Sequence, residues 1–296
     1  MRIEKYGAID IGSNAIRLLI ASVIIQEGVN PIFRKTSLVR LPIRLGADVF
    51  INEKISEANY LRMLDSIKAF KLLMNVHNVV SFRACATSAM RDASNGKVIA
   101  EKIKNETGIT IDIIDGKEEA KIIASTDLGS FIQKDKVYLY VDVGGGSTEF
   151  TFFENGKPVA SQSFKLGTIR LLNNIVDDRI WKEVKYWIKE QTKNYTSISL
   201  MGSGGNINSL FKSSGISIGS PITYLFLSSK YKFLKSLSYK ERIVDLGMNH
   251  DRADVILPAI KIFLSAMKWS RAQNIHVPKI GLSDGIIKSL FYENNN

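Results

Sequence analysis

The sequence is poor in cysteine, proline and histidine, and it contains no long apolar run. Its 296 residues include one Cys, six Pro and three His. The single thiol, Cys85, cannot form an internal disulfide, which predicts a reducing, cytoplasmic location. No stretch reaches the roughly 18 apolar residues of a membrane helix, since Arg17 interrupts the best candidate. Asp10 and the glycine turn that follows it also argue against a signal peptide at the N-terminus.

Signatures of several ligand classes are missing as well. The sequence has no helix-turn-helix pattern, zinc-finger spacing or aromatic ribonucleoprotein motif, which makes nucleic-acid binding a minority interpretation. No Gly-Lys pair has the Walker spacing with a following Ser or Thr, and residues 202–207 (GSGGNI) lack the third glycine of a dinucleotide fingerprint. The formal net charge of +11 attracts polyanions in general, but it does not choose between nucleic acid, a membrane surface and polyphosphate.

Residues 137–153 (VYLYVDVGGGSTEFTFF) are predicted to form a strand, a glycine turn and a second strand. Glycines allow positive φ and close approach of a ligand to the main chain, and the amides of such a turn can converge on an anion. The carboxylates of Asp142 and Glu149 flank the turn, which suits a divalent cation that bridges protein and phosphate. Alone, the pattern also fits an ordinary hairpin with a glycine tip. The four turn residues are Gly144, Gly145, Gly146 and Ser147.

The same pattern occurs near the N-terminus, in residues 6–20 (YGAIDIGSNAIRLLI), where Ser13 and Asn14 occupy the turn. A repeated strand–Asp–turn–strand unit predicts two similar halves that present phosphate-binding hairpins to a shared cleft. Asp10 is therefore a further candidate metal ligand. At a shift of 132 residues (142 − 10), the corresponding positions are Asp10 and Asp142, Gly12 and Gly144, and Arg17 and Glu149.

Eight short blocks occur in one order over nearly the whole chain. They are residues 8–14 (AIDIGSN) with Arg17, 86–95 (ATSAMRDASN), 116–120 (GKEEA), 142–149 (DVGGGSTE), 165–170 (KLGTIR), 202–205 (GSGG), 252–258 (RADVILP) and 281–285 (GLSDG). Together they resemble the exopolyphosphatase/guanosine pentaphosphate phosphohydrolase (Ppx/GppA) family of the actin, sugar-kinase and heat-shock ATPase superfamily. The resemblance implies an α/β fold of two ribonuclease H-like (actin-like ATPase) domains, each a mixed β-sheet flanked by helices, with an interdomain cleft. We place these domains at residues 1–124, joined by the closing helix 286–296, and at 125–285.

The resemblance also implies a glutamate in block 116–120 that lies across the cleft from the glycine turn and activates water. We assign this role to Glu119, with Glu118 as the alternative, because neighbours on a helix point about 100° apart and either one can face the cleft. Favourable interaction with the helix dipole is a simpler explanation for two carboxylates in a first turn.

Further phosphate ligands are expected where strands end. Arg91 suits phosphate because its planar fork holds two oxygens and keeps its charge, while Thr87 and Ser88 either face phosphate or cap the next helix. Gly204 precedes a helix N-terminus, another anion site in principle. The predicted phosphate ligands are Ser13, Asn14, Arg17, Thr87, Ser88, Gly144, Gly145, Gly146, Ser147 and Gly204; the predicted catalytic residues are Glu119, Glu149, Asp142 and Arg91. Mg²⁺ is expected at Asp142, Glu149 or both, with Asp10 as a further candidate.

Four other expectations concern local structure. Residues 31–50 are predicted to form a strand and a loop that ends at Gly46, and Asn95 is predicted to cap the helix that runs to residue 107. Residues 251–268 are predicted to form one apolar helix in spite of Pro258. Residues 181–194 are predicted to form a helix with lysines three and four residues apart along one face. This face is either solvated or a track that binds a long anion. These lysines are Lys182, Lys185, Lys189 and Lys193.

Taken with these residues, the resemblance implies a phosphoanhydride hydrolase that releases terminal phosphate from inorganic polyphosphate, guanosine pentaphosphate or both, by Mg²⁺-assisted attack of a glutamate-activated water. Two alternatives stay open. A kinase of the same superfamily would use the two hairpins on ATP, and a sensor of polyphosphate or guanosine tetraphosphate would bind its ligand with feeble catalysis. The resemblance also implies that the chain can form a homodimer.

Overall fold

The computed structural model describes residues 1–126 and 136–295. The chain divides into two compact units, Met1–Thr126 with Ile280–Asn296, and residues 127–279. We call them the first and the second unit. The boundaries expected from the sequence fall after residues 124 and 285. Among the described residues, every helix is too short or too polar to cross a lipid bilayer.

The first unit is a five-stranded mixed sheet flanked by helices. Its strands are β1 (Arg2–Ile11), β2 (Ile16–Gln26), β3 (Val29–Leu41), β4 (Ser81–Ala86) and β5 (Ile111–Ile113). Its helices are α1 (Leu45–Asn52), α2 (Glu57–Val76), α3 (Ser88–Asp92), α4 (Gly96–Thr107), α5 (Gly116–Ala124) and α13 (Leu282–Asn295). The strand order is β3-β2-β1-β4-β5; β1, β2 and β3 are antiparallel neighbours, and β4 and β5 continue parallel to β1. Helix α13 packs on β1, β2, β4 and α5.

The second unit is a six-stranded mixed sheet. Its strands are β6 (Tyr138–Val143), β7 (Thr148–Glu154), β8 (Lys157–Phe164), β9 (Ser199–Ser203), β10 (Ile222–Thr223) and β11 (Asn274–His276). Its helices are α6 (Thr168–Leu172), α7 (Asp178–Thr192), α8 (Gly205–Ser213), α9 (Tyr224–Ser236), α10 (Tyr239–Val244), α11 (His250–Ala253) and α12 (Ile256–Ser270). The strand order is β10-β11-β9-β6-β7-β8.

The two sheets repeat one topology. In the second unit, β8-β7-β6-β9-β11 follow one another as β3-β2-β1-β4-β5 do in the first, with two antiparallel pairs and then two parallel pairs. The second half of β1, from Tyr6 to Ile11, and five of the six residues of β6 are buried, as expected for strands covered on both faces. The internal repeat predicted from the sequence is thus confirmed, and each copy has its own apolar core.

Helix α1 was not expected from the sequence. Gly46 lies inside this helix instead of ending a loop, and its N–H donates to the carbonyl of Ser13 at 2.8 Å. The preceding residue, Arg44, takes the left-handed φ of 62° and donates its N–H to the carbonyl of Asn14 at 3.1 Å. The helix therefore starts against the first glycine turn, and this tertiary contact has no local sequence signal.

Two helix boundaries also differ from expectation. Asn95 precedes α4 but its side chain does not cap it; the amide instead bonds the backbone N–H and C=O of Ile55, both at 2.9 Å. The apolar helix predicted over 251–268 is two helices, α11 and α12. Pro258 lies in the first turn of α12, where its missing N–H is not needed.

Candidate active site

The two glycine turns have the same geometry. The N–H of Gly12 donates to Ala15 O at 3.1 Å, and the N–H of Gly144 donates to Ser147 O at 3.0 Å. The strand register agrees as well, because Asp10 pairs with Arg17 and Asp142 pairs with Glu149. The correspondence at a shift of 132 residues therefore holds in three dimensions.

The charges beside the two turns differ. In the first unit, Arg17 Nη1 lies 2.7 Å from Asp10 Oδ2, so the predicted phosphate ligand and the predicted metal ligand bind each other. In the second unit, the position of Arg17 is taken by Glu149. Directly paired residues of antiparallel strands share one face, which places the carboxylates of Asp142 and Glu149 side by side. The second turn is therefore the one suited to a cation.

The carbonyl groups of the second turn are occupied by helix α6. Three donors on consecutive residues hold three consecutive carbonyls: Thr168 N to Gly144 O (3.0 Å), Ile169 N to Gly145 O (2.9 Å) and Arg170 Nε to Gly146 O (2.8 Å). In a trans peptide the following N–H points opposite to the C=O, so the turn's next three amides face away from α6. Within the described residues, the amides of Gly145 and Gly146 donate to no backbone carbonyl. The turn thus presents N–H groups to an anion.

Gly167 lets α6 approach the turn. A Cβ at this position would lie 2.2 Å from Gly145 O and 2.4 Å from Gly146 C, both backbone atoms. The φ of Gly167 is −123°, which any residue adopts, so space alone requires glycine here.

Helix α8 starts beside Asp142. Its N-cap, Gly204, has a φ of 106°, and a Cβ there would lie 2.7 Å from Val143 O and 3.4 Å from Asp142 Oδ1. The start of α8 carries no side-chain cap. The predicted phosphate ligand Gly204 therefore lies beside Asp142.

Glu149 is 2% exposed and accepts a hydrogen bond from Ser163 Oγ at 2.8 Å. In the described chain, no group of three or more His, Cys, Asp or Glu residues could hold a metal by itself. Mg²⁺ commonly binds one or two carboxylates together with water and substrate phosphate, whereas structural zinc sites use four protein ligands. The donor set of Asp142 and Glu149 therefore fits Mg²⁺.

The two candidate glutamates of α5 have different surroundings. The carboxylate of Asp115 caps the helix, accepting from the N–H groups of Glu118 at 2.8 Å and Lys117 at 2.9 Å, and these bonds lower the pKa of Asp115. Glu118 Oε1 accepts from Arg83 Nη2 at 2.8 Å. Glu119 is only 8% exposed. Although the two residues are adjacent in sequence, the carboxylate of Glu118 is held in an ion pair near the surface and that of Glu119 is buried.

Other predicted residues of the first unit cluster around its turn and the start of α5. Ser13 Oγ and Ser88 Oγ are buried and 2.9 Å apart, and Thr87 makes no side-chain cap on α3. Arg91 Nη1 donates to the carbonyl of Ile114 at 2.8 Å, just before α5. Cys85 is buried, and burial raises the pKa of its thiol to about 12, so it is a packed core thiol, not a nucleophile.

Positive charge is concentrated in the second unit. Residues 136–279 contain 20 Lys and Arg against 11 Asp and Glu, a difference of +9 within the chain's formal +11. On α7, Lys182, Lys185 and Lys189 are exposed. Lys193, which directly follows the helix, is also exposed and pairs with Glu190 at 2.8 Å. Exposure of these lysines is expected both for a solvated face and for a track that binds a long anion.

Sequence reasoning missed Ser163, Gly167 and Arg83. A hairpin turn at Asn155–Gly156 alone would place Gln162 opposite Glu149, but a bulge at Phe152/Phe153 shifts the register to Ser163. For Gly167, the signal was its place in block 165–170, although nothing in the block shows what the glycine approaches.

The chain is similar to one protein family, to several curated proteins and to solved structures. The model of the Ppx/GppA phosphatase family matches residues 20–293. The bifunctional 3-dehydroquinate synthase/phosphatase of Fusobacterium nucleatum is 33% identical over 232 residues, which are 69% of this chain and 34% of the relative. The guanosine-5′-triphosphate,3′-diphosphate pyrophosphatase of Photobacterium profundum is 26% identical over 95% of this chain and 58% of its own length. Exopolyphosphatase 2 of Mycobacterium tuberculosis is 31% identical over 58% of this chain and 54% of its own length.

The chain thus spans between about a third and three fifths of these curated relatives. Solved structures match at least 98% of the chain. An exopolyphosphatase from Cytophaga hutchinsonii has a TM-score of 0.84 at 25% identity, with 98% of each chain covered. A Ppx/GppA family member from Aquifex aeolicus has a TM-score of 0.76 at 24% identity, with 100% of each chain covered. These similarities confirm the predicted fold of two mixed sheets flanked by helices.

Proposed function

Because the chain belongs to the Ppx/GppA phosphatase family, we propose that it hydrolyses phosphoanhydrides and releases terminal phosphate from inorganic polyphosphate, guanosine pentaphosphate or both. The observation that carries this proposal is the β6–β7 hairpin. It combines outward-facing turn amides with a pair of carboxylates at one register position. Amides bind phosphoryl oxygens and carboxylates bind the counter-cation, and phosphoryl transfer needs both because its transition state spreads negative charge over several oxygens. The names of two relatives, an exopolyphosphatase and a guanosine-5′-triphosphate,3′-diphosphate pyrophosphatase, support the two substrates.

In this proposal the amides of Gly145, Gly146 and Ser147 bind oxygens of the terminal phosphoryl group, with Gly144 closing the turn. Ser13, Asn14, Thr87 and Ser88 are assigned to phosphate binding in the first unit, and the start of α8 at Gly204 in the second. Arg91 and Arg17 supply positive charge; each is also bonded to protein, to Ile114 O and to Asp10 respectively. These contacts limit the freedom of the two guanidinium groups and keep their positions fixed.

Mg²⁺ is assigned to Asp142 and Glu149, with Asp10 as a weaker candidate because Arg17 already neutralises it. When bound, the ion would neutralise substrate oxygens and orient the phosphoryl group. The protein's own part is to keep the two carboxylates in place through the β6–β7 register and the Ser163 hydroxyl.

Glu119 is assigned as the general base that orients the attacking water and accepts its proton. Two observations support this choice over Glu118. The carboxylate of Glu118 is engaged by Arg83, whereas Glu119 is buried on the same helix. Burial keeps bulk water from competing with one bound water for the carboxylate.

Phosphate release measured side by side on three substrates tests the proposed function. With Mg²⁺ present and no nucleotide added, we expect release from long polyphosphate, short polyphosphate or guanosine pentaphosphate, and loss of release after chelation. A kinase would require ATP and a second acceptor, and phosphate release from nucleotide-free polyphosphate would exclude it. Tight binding by calorimetry without release would instead identify a sensor and contradict hydrolysis.

Removing the Ser163 hydroxyl is expected to weaken Mg²⁺ binding. Groups that hold a metal ligand typically contribute 10- to 100-fold in metal affinity, and Ser163 holds Glu149. We expect Ser163→Ala to raise the Mg²⁺ concentration for half-maximal turnover by about tenfold, and to weaken Mn²⁺ binding measured by electron paramagnetic resonance by a similar factor.

The matched control is Ser161→Ala. Ser161 lies two residues earlier on the same strand and bonds Thr151 Oγ1 at 3.0 Å instead of a carboxylate. It should leave metal affinity unchanged. Equal effects of the two serine variants would reject the assignment of Glu149 as a metal ligand held by Ser163.

A further inference from the structure

We infer that Arg83 and Glu118 are positioning residues whose ion pair sets the rotation of α5 about its axis, and through that rotation the place of Glu119. The inference deepens the proposed function, since it rests on Glu119 acting as the base. It also gives a role to Glu118, which the chemistry itself does not use.

Arg83 connects three elements of the first unit. It lies on β4, its Nε donates to Asp112 Oδ2 on β5 at 2.8 Å, and its Nη2 donates to Glu118 Oε1 on α5 at 2.8 Å. The guanidinium is planar, so the two donors are fixed relative to each other and the two acceptors are fixed with them. Burial opposes the charge of Arg83, but its bonds to the two carboxylates outweigh burial and raise its pKa above the ordinary value. The side chain of Arg83 thus links strands β4 and β5 to helix α5.

Rotation of α5 matters because Glu118 and Glu119 are neighbours on it. Their side chains point about 100° apart, so holding Glu118 against β4 and β5 determines where Glu119 points. A carboxylate about 5 to 6 Å from the helix axis moves by about 1 Å for each 10° of rotation. A misplacement of about 1 Å can cost about 10²-fold in rate. The ion pair therefore controls turnover without contacting substrate.

Two other contacts also hold α5. A Cβ at Gly285 of α13 would lie 2.2 Å from Ile122 O, so the two helices touch backbone to backbone. Arg91 holds the carbonyl of Ile114 at the start of the helix. These contacts restrain the distance of α5 from α13 and the position of its first turn.

Asp112 provides a matched control inside the same network. Its contact with Arg83 has the same length as that of Glu118, and the two acid side chains are 43% and 44% exposed. Removing either carboxylate should therefore have a similar, small effect on stability. Asp112 lies on a strand, however, whereas Glu118 lies on the helix next to the proposed base.

The test compares Glu118→Gln, Asp112→Asn, Arg83→Met and the double variant Arg83→Met/Glu118→Gln, with polyphosphate as substrate. We expect Glu118→Gln and Arg83→Met to lower kcat about 10- to 100-fold with KM changed less than about threefold. The double variant should be no worse than Arg83→Met alone, because the two residues act as one unit. Asp112→Asn should keep kcat within about threefold while its Tm falls as much as that of Glu118→Gln.

A second readout does not depend on turnover. Hydrogen–deuterium exchange of the α5 amides should accelerate in Glu118→Gln and Arg83→Met, and stay near wild type in Asp112→Asn. Equal kcat and equal exchange for Glu118→Gln and Asp112→Asn would overturn the inference, even if Arg83→Met fails to fold. Failure of the proposed function gives a different result. Wild-type turnover in Glu119→Gln would reject Glu119 as the base. An inactive Glu119→Gln, together with equal kcat and equal exchange in Glu118→Gln and Asp112→Asn, would reject only the positioning role.

Discussion

Glu119→Gln is expected to lower kcat by about 10² to 10⁴ while polyphosphate still binds. The substitution is isosteric and removes only the ability to accept a proton from water. Glu119 is 8% exposed and lies one residue after an ion-paired glutamate, so the variant keeps the helix cap at Asp115 and the contact between Glu118 and Arg83. KM and the dissociation constant from calorimetry should both stay near wild type, because the lost interaction acts in the transition state.

The control for this prediction is Glu101→Gln on α4, an exposed acid on another helix of the same unit. It removes one negative charge and should leave kcat unchanged. If Glu119→Gln turns over at the wild-type rate and Glu118→Gln loses turnover completely, the base is Glu118. If both glutamine variants keep full activity, the water-activation scheme is wrong.

Gly167→Ala is expected to abolish most activity through a purely steric effect. The new Cβ would lie 2.2 Å from Gly145 O and 2.4 Å from Gly146 C, and a backbone atom cannot turn aside as a side chain can. Helix α6 must therefore move off the turn, which breaks the bonds that hold the turn's carbonyls and reorients its amides. We expect about a 10²-fold loss of phosphate release and a loss of about 1–3 kcal/mol in the free energy of unfolding.

Gly28→Ala separates lost stability from lost activity. Gly28 has a φ of 73° with nothing within 4 Å of a built Cβ, so alanine there costs about 1–2 kcal/mol of left-handed strain and no clash. Its unfolding free energy should fall about as far as that of Gly167→Ala, yet phosphate release should persist. Should Gly167→Ala fail to fold, Arg170→Met removes the bond to Gly146 O and tests the same contact. Full activity in both variants would show that α6 does not support the turn.

Much of the candidate site could be predicted from the sequence because its signals are local. A strand, an aspartate, a glycine turn and a second strand depend on residues within about 15 positions, so Asp10 with Gly12 and Asp142 with Gly144 were found by pattern alone. An Asn-Gly pair between two apolar stretches is likewise a local signal for a two-residue hairpin turn, and Asn155 and Gly156 both take positive φ. The repeat of this local unit predicts two similar halves, and the two sheets do share one topology.

Residues 211–250 show why other parts were not predictable. Helices α9 and α10 meet α11 around Arg242, a buried arginine whose guanidinium donates to the carbonyls of Leu234, Leu237 and Ala253 at 2.9 to 3.0 Å. A sequence pattern assigns such a residue to a solvated basic cluster. Only contacts between separate helices show that it satisfies backbone acceptors and stays inside.

The sequence by itself determined the two hairpins, the positions of their acids and glycines, and the order of blocks that places the chain in its family. The tertiary structure decided which side chains meet. One bulge places Ser163 instead of Gln162 beside Glu149. The guanidinium of Arg83, on strand β4, holds Glu118 in an ion pair next to the buried Glu119. The physical reason is the range of the forces involved. Turn and strand preferences act over a few bonds, whereas register, steric contact and ion pairing depend on atoms that only the folded chain brings together.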